Sequence, residues 1–74
     1  MLTETTGQVC LDGRLIAEIR FGRGLSGWQF RLVGPQAPAL AYLTSWQKQR
    51  DKRKRGWTKE EVKRRIEFIL GYSF

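Results

Sequence analysis

The chain of 74 residues is long enough for one domain and carries a formal net charge of +7. Its hydrophobic fraction of 41% is too high for a disordered tail, and no apolar run approaches the roughly 18 residues of a membrane span. With no histidine, one cysteine and few carboxylates, the sequence lacks both metal ligands and a nucleophile–base pair. We therefore expect no enzymatic activity, no metal and no cofactor.

The first residues and the single cysteine bear on location. The stretch from Met1 to Thr6 has no basic flank followed by an apolar run, so we expect no signal peptide. Cys10 has no second cysteine with which to form an intrachain disulfide, which favours a reducing environment. We expect a cytoplasmic protein with no membrane partner, associated with the nucleoid if it binds DNA.

Two β-prone runs, residues 8–11 and 14–21, flank Asp12-Gly13, a dipeptide typical of hairpin turns. Two registers are open: a two-residue turn pairs Cys10 with Leu15, and a three-residue turn pairs Val9 with Leu15. We favour the second because it gathers one apolar face, formed by Val9, Leu15, Ala17, Ile19 and Phe21. The opposite face then carries Arg14, Ile16, Glu18 and Arg20.

A glycine-rich loop over residues 22–27 precedes a third alternating run, residues 28–33. The loop lacks the Lys-Ser/Thr ending of a nucleotide-binding loop, so we interpret it as a hairpin connection in which Arg23 could contact a phosphate backbone. In the third strand, Trp28, Phe30 and Leu32 are expected to join the core. Gln29 and Arg31 are expected on the polar far face.

Two helices are predicted after the sheet. The run from Gly34 to Pro38 ends the third strand, and residues 39–55 contain no helix breaker and begin with an apolar stripe. Thr58 and Glu61 form a capping box that starts a second helix at Lys59, which Gly71 ends. The sequence thus predicts one α+β domain over residues 1–74. Its three-stranded antiparallel sheet, at about residues 8–33, is followed by helices near 39–55 and 59–70.

Positive charge is concentrated in the second part of the chain. Residues 1–47 hold four basic and three acidic side chains, whereas residues 48–74 hold ten basic and four acidic ones. Six of the eight residues from Lys48 to Arg55 are basic, and on a helix they would repel one another. We interpret the run as a surface for a polyanion; the alternative is a solvated helix end favoured by the dipole. The expected contacts with a nucleic-acid backbone are Lys48, Arg50, Lys52, Arg53, Lys54, Arg55, Lys59 and Lys63.

Arginine and glutamine on the far face of the sheet are residue types that read base edges in the major groove, although ordinary polar exposure is the alternative. Residues 12–43 also resemble two families: the tyrosine-recombinase arm-site modules and the plant ethylene-response-factor domain. The matching pieces are residues 17–20, 32–34 and 39–43, while Pro35 and Pro38 depart from the threonine-led helix start of those families. The resemblance implies a three-stranded sheet whose exposed face enters the major groove. It implies base or phosphate contacts at Arg14, Arg20, Gln29 and Arg31.

These patterns lead us to expect a small basic protein that binds nucleic acid, with duplex DNA favoured, such as a phage or mobile-element accessory factor. Two alternatives stay open. One is a protein-binding inhibitor or adaptor that docks on an acidic surface of a nucleic-acid-processing complex, and the other is an RNA-binding protein. Salt dependence separates nucleic-acid binding from protein docking, because counterion release lowers log K linearly with log[salt]. A comparison of duplex DNA, single strands and RNA separates the rest.

Overall fold

A four-stranded antiparallel sheet and one helix form the protein. The computed structural model describes residues 1–34 and 37–74. The strands are β1 (Leu2–Thr5), β2 (Gln8–Leu11), β3 (Arg14–Phe21) and β4 (Trp28–Leu32), and they lie side by side in chain order. The helix α1 spans Lys59–Leu70, and short 3-10 segments occupy Gly24–Ser26 and Ala37–Leu43. The class is α+β, but the expected three strands plus two helices are wrong in both numbers.

The additional strand is β1, which the sequence analysis missed. Its four residues include a single apolar side chain, Leu2, so no apolar alternation marks it. Thr6 and Gly7 connect it to β2 as a two-residue turn in which both residues have positive φ, 49° and 84°. Leu2 is 2% exposed, pairs with Leu11, and donates its N–H to the carbonyl of Ser73 at 2.7 Å. Contacts with distant parts of the chain therefore hold β1 in place.

The β2–β3 hairpin combines features of both registers. Asp12 and Gly13, with φ of 51° and 80°, form a two-residue turn that pairs Cys10 with Leu15, so the favoured three-residue turn is wrong. A bulge follows, because Val9 pairs with Ala17 rather than with Ile16. Beyond the bulge, Ala17 and Ile19 lie on the Val9 side as expected. Leu15 and Phe21 are exposed and Ile16 is buried, against the predicted faces.

The helix predicted over residues 39–55 is not formed. The 3-10 segment Ala37–Leu43 is interrupted at Leu40, with φ −123° and ψ 49°, and residues 44–58 contain no helix. Pro35 and Gln36, part of the predicted strand-ending run, lie outside the described residues. Beyond Trp46 the sequence has no apolar stripe with which a helix could pack, and its cations would repel one another on a helix. The helix implied by the family resemblance is absent from this position as well.

Residues 47–57 instead cover the outer edge of β4. Gln47 exchanges two backbone hydrogen bonds with Phe30, at 2.7 and 3.1 Å, and Trp28 donates its N–H to the carbonyl of Trp57 at 2.8 Å. These bonds satisfy backbone groups that an uncovered edge strand would present to solvent or to another chain. Residues 48–56 thus leave the sheet edge and return to it, and we call them the basic loop.

Local signals account for α1, as the sequence predicted. The Thr58 hydroxyl accepts the N–H of Glu61 at 3.2 Å, and the Glu61 carboxylate accepts the N–H of Thr58 at 3.0 Å. Gly71 ends the helix in the left-handed conformation, with φ of 79°. The predicted helix over residues 59–70 and its capping box are therefore confirmed.

Replacing Thr58 with alanine should lower the free energy of unfolding by about 1 kcal/mol, because the N–H of Glu61 loses its acceptor. Chemical denaturation measures this change. The matched control is Thr58→Ser, which keeps a hydroxyl at the cap and should stay within a few tenths of a kcal/mol of the wild type. Equal stability of the alanine and serine variants would contradict a role for the cap.

One face of the sheet packs against α1. Val62 and Ile66 of the helix are fully buried against strand residues that include Phe30 and Leu32, each at most 2% exposed. The sheet's other face is left to polar side chains and to Trp46. Within the ranges that the structure describes, no helix is long and apolar enough to cross a membrane.

Candidate nucleic-acid interface

The basic loop is shaped by two of its own polar residues. The Asp51 carboxylate accepts the N–H of Arg53 at 3.0 Å, and the Asp51 carbonyl accepts the N–H of Lys54 at 3.0 Å. Gln49 in turn accepts the N–H of Asp51 at 2.9 Å. This local turn of the Asx type occupies the only carboxylate of the loop with its own backbone. The six basic side chains of the loop are all exposed.

Two glycines allow the loop to return to the sheet. A Cβ added at Gly56 would lie 2.5 Å from the backbone N of Gly27, and Gly27 itself has φ of 68°. The close approach brings Trp57 beside Trp28, where their backbones share a hydrogen bond. Side chains larger than hydrogen at either glycine would separate the loop from the start of β4.

The cations of the loop differ in what surrounds them. Arg55 pairs with Glu61 at 2.6 Å, and Arg53 lies 3.4 Å from Asp51. Within residues 1–34 and 37–74, four other cations of the loop make no salt bridge: Lys48, Arg50, Lys52 and Lys54. Their charges are balanced by no carboxylate of the described chain, so they remain available to an external anion.

Arg55 anchors the end of the loop to the start of α1. The Thr58 backbone N–H, followed by the Arg55 guanidinium, holds the pKa of Glu61 at about 2, below its ordinary value of 4.5. Glu61 is therefore ionised at neutral pH and joins the helix cap to the loop through two separate contacts. Arg55 serves this anchor, so it is less free for an external phosphate than Lys52 or Lys54.

Two grooves border the loop. The larger, of about 730 Å³, is lined by Ser26 and by loop residues between Lys48 and Lys54. The smaller, of about 400 Å³, lies at the end of the sheet and is lined by Arg20, Arg23, Lys48 and Ser26 among others. Because Ser26 and Lys48 line both grooves, cations from the sheet end and from the loop border one continuous surface. Sequence reasoning had considered Arg23 but not Ser26, whose position depends on the fold.

Three of the four predicted base contacts are brought together on the far face of the sheet. The Arg20 Nε donates to the Gln29 Oε1 at 2.9 Å, and Arg31 pairs with Glu18 at 2.7 Å. The guanidinium carbons of Arg20 and Arg31 lie 4.0 and 4.9 Å from the centre of the Trp46 ring. These side chains contact one another, and Gln29 is only 5% exposed. Base reading would have to compete with those contacts.

Arg14 does not join this group. The two-residue turn pairs it with Leu11, which pairs with Leu2, so the register places Arg14 on the side of the sheet that carries the core. Had the three-residue turn formed, Arg14 would share a face with Arg20 as expected. The turn type therefore separates the two arginines.

Lys59 and Lys63 on α1 make contacts within the protein. The Lys59 Nζ lies 2.8 Å from a Glu4 carboxylate oxygen and 5.4 Å from the centre of the Trp28 ring. The Lys63 Nζ lies 4.7 Å from the centre of the Phe74 ring. Of the eight predicted backbone contacts, those on the loop thus form one surface, while these two stabilise the attachment of the helix.

Acid should destabilise the fold over a defined range. Contacts with Lys59 and the Gly7 N–H lower the pKa of Glu4, and the Phe74 N–H and Arg64 lower that of Glu67. Because these folded-state pKa values and that of Glu61 are depressed, their stabilisation is present above about pH 4.5 and is lost as pH falls toward 2. Denaturant midpoints between pH 6 and pH 2 measure this loss. A Glu61→Gln variant should show a shallower decline, and an unchanged decline would contradict the assignment.

Among the described residues, no cluster of three or more histidine, cysteine, aspartate or glutamate side chains could hold a metal ion. The cationic surface is therefore described by its charges and grooves, and its base-contact candidates by their mutual contacts. Comparisons with protein-family models, with curated proteins and with solved structures found no match for this chain.

Proposed function

We propose that the protein binds nucleic acid through the phosphate backbone, with the basic loop as the main contact surface. One observation carries the proposal: Lys48, Arg50, Lys52 and Lys54 are exposed on one loop and make no salt bridge within residues 1–34 and 37–74. Cations of this kind bind phosphates and release the counterions condensed on a nucleic acid. Arg20 and Arg23 extend the surface across the groove shared with Lys48.

The position of the loop argues against simple solvation. The alternative explained the cations by the dipole at a helix C-terminus, but the loop is not helical and is followed by the N-terminus of α1. A helix N-terminus carries partial positive charge, so cations beside it are disfavoured and anions are favoured. Glu61 offsets Arg55 only. A bound phosphate backbone would relieve the remaining repulsion.

We expect the affinity to depend little on base sequence. The far-face side chains Arg20, Gln29 and Arg31 contact one another, Glu18 or Trp46, and contacts to phosphates carry no sequence information. Duplex DNA remains the favoured form because its charge density makes counterion release strongest, about 0.9 per contact against about 0.7 for single strands. RNA binding is the alternative within the same mechanism.

Fluorescence anisotropy with random-sequence duplex DNA, single-stranded DNA and RNA of equal length tests the proposal. We expect log K to fall linearly with log[salt], most steeply for the duplex, and to be similar for different duplex sequences. Absence of binding at about 50 mM salt, or affinity independent of salt, would contradict it. Pull-downs from native lysate with and without nuclease then separate nucleic acid from an acidic protein, which nuclease would not remove.

A further inference from the structure

A separate groove of about 520 Å³ lies between the 3-10 segment Ala37–Leu43 and α1. Tyr42 and Leu43 contribute from the first element, Phe68 and Ile69 from the helix, and Trp57 precedes the helix. We call it the aromatic groove. It shares no lining residue with the two grooves beside the basic loop, so it is a second surface of the molecule.

The aromatic groove exposes large apolar side chains. Phe68 is 90% exposed and Tyr42 is 72% exposed, whereas Leu43 at the same groove is only 4% exposed. A helical position that faces solvent is normally polar, and contiguous exposed apolar surface on a small protein marks an interaction site. Two exposed aromatic rings at the borders of one apolar groove are the arrangement that anchors a partner's side chains.

The charges around the groove select the partner's chemistry. Its acidic residue, Glu61, is engaged by Arg55 and by the Thr58 N–H, and Arg64 is engaged by Glu60 and Glu67. Arg65 makes no salt bridge within the described ranges, and its guanidinium carbon lies 4.2 Å from the centre of the Trp57 ring. The charge left uncommitted at the groove is therefore positive. A second copy of this chain would bring a net charge of +7 and be repelled, whereas an acidic partner would be attracted.

We propose that the aromatic groove docks an acidic amphipathic segment of another protein. The segment's apolar side chains pack between Phe68 and Tyr42 over Leu43, and a carboxylate pairs with Arg65. Binding of such a segment in a hydrophobic groove is a recurring mode of peptide recognition. The proposal does not depend on nucleic-acid binding, since the basic loop contributes no residue to the groove.

The probe is a synthetic helical peptide with leucine and phenylalanine on one face and glutamate elsewhere. It is titrated into the full protein and followed by backbone amide NMR. We expect shifts at α1 and around Tyr42. Phe68→Ser and Arg65→Gln should each weaken binding by about tenfold or more, and a scrambled peptide of identical composition should bind more weakly than the patterned one. Both substitutions lie at exposed positions, so the fold should be retained, which the same spectra verify.

Three results would overturn the proposal. The first is equal binding of patterned and scrambled peptides, or no binding up to about 1 mM. The second is binding that survives Phe68→Ser but is lost in Lys52→Gln, Lys54→Gln, which would mean adsorption of a polyanion to the basic loop. The third is a dimer in sedimentation equilibrium that Phe68→Ser abolishes, which would place a second copy in the groove. Phe68→Ser should leave nucleic-acid affinity unchanged, so the two functions fail independently.

Discussion

Replacing Phe30 with alanine should lower the free energy of unfolding by about 3–5 kcal/mol, the range for a large buried aromatic side chain. Phe30 is 2% exposed, pairs with Ile19 across the sheet, and stacks on Trp57 with ring centres 6.2 Å apart. Its backbone also holds Gln47 at the sheet edge. A domain of this size with a margin of roughly 5 kcal/mol would then be mostly unfolded at room temperature.

Circular dichroism and thermal melting measure this effect, and Phe68→Ala is the matched control. Phe68 carries the same side chain at 90% exposure, so its loss should change stability by about 0.5 kcal/mol or less. If the two alanine variants melt alike, Phe30 is not the core residue that its burial indicates. A loss in Phe30→Ala alone ties the attachment of the basic loop to the core.

Neutralising the basic loop should have the largest effect on binding. Lys48→Gln, Arg50→Gln, Lys52→Gln and Lys54→Gln together remove the loop cations that make no salt bridge within residues 1–34 and 37–74. Each lost phosphate contact removes about 0.9 from the slope of log K against log[salt]. We therefore expect the slope to become shallower by about 3 and the affinity near 0.1 M salt to fall about 10³-fold. The loss should be equal for all duplex sequences, because backbone contacts position without specifying.

The matched control removes charge elsewhere. Arg14→Gln with Arg64→Gln takes away two cations that line neither of the grooves beside the loop. Compared per charge removed, this variant should change the salt slope much less than the loop variant. Since all the replaced side chains are exposed, both variants should melt close to the wild type. If slope and affinity are unchanged in the loop variant, the run is a solvated segment and docking on an acidic protein becomes the better explanation.

The helix α1 shows what local sequence can determine. Thr58, Glu61 and Gly71 satisfy the first and last backbone groups of the helix with atoms within a few residues, and the structure contains those hydrogen bonds. The central strands are similarly marked by alternation and by Asp12-Gly13. Because these signals act over short distances, they do not depend on the rest of the fold, and the sequence was sufficient to predict them.

Elements held by distant partners were not predictable in this way. The strand β1 depends on Leu11 and on the carbonyl of Ser73, and the basic loop depends on the edge of β4 at Phe30 and Trp28. No helix breaker marks residues 39–55, so local propensity favoured a helix there. The tertiary structure instead uses Gln47 and Trp57 to pair with the sheet edge, and this pairing prevents the helix.

The same division applies to the candidate site. Composition by itself determined that positive charge lies behind residue 47 and that exposed cations crowd residues 48–55, since charge depends on residue type alone. Only the fold decided which of them carry internal partners, as Arg55 does with Glu61 and Lys59 with Glu4. The fold also enclosed Trp46 between Arg20 and Arg31, separated Arg14 from them through a two-residue turn, and left Phe68 exposed beside Tyr42. These outcomes depend on strand register and on contacts between residues far apart in the chain, which short-range pattern does not encode.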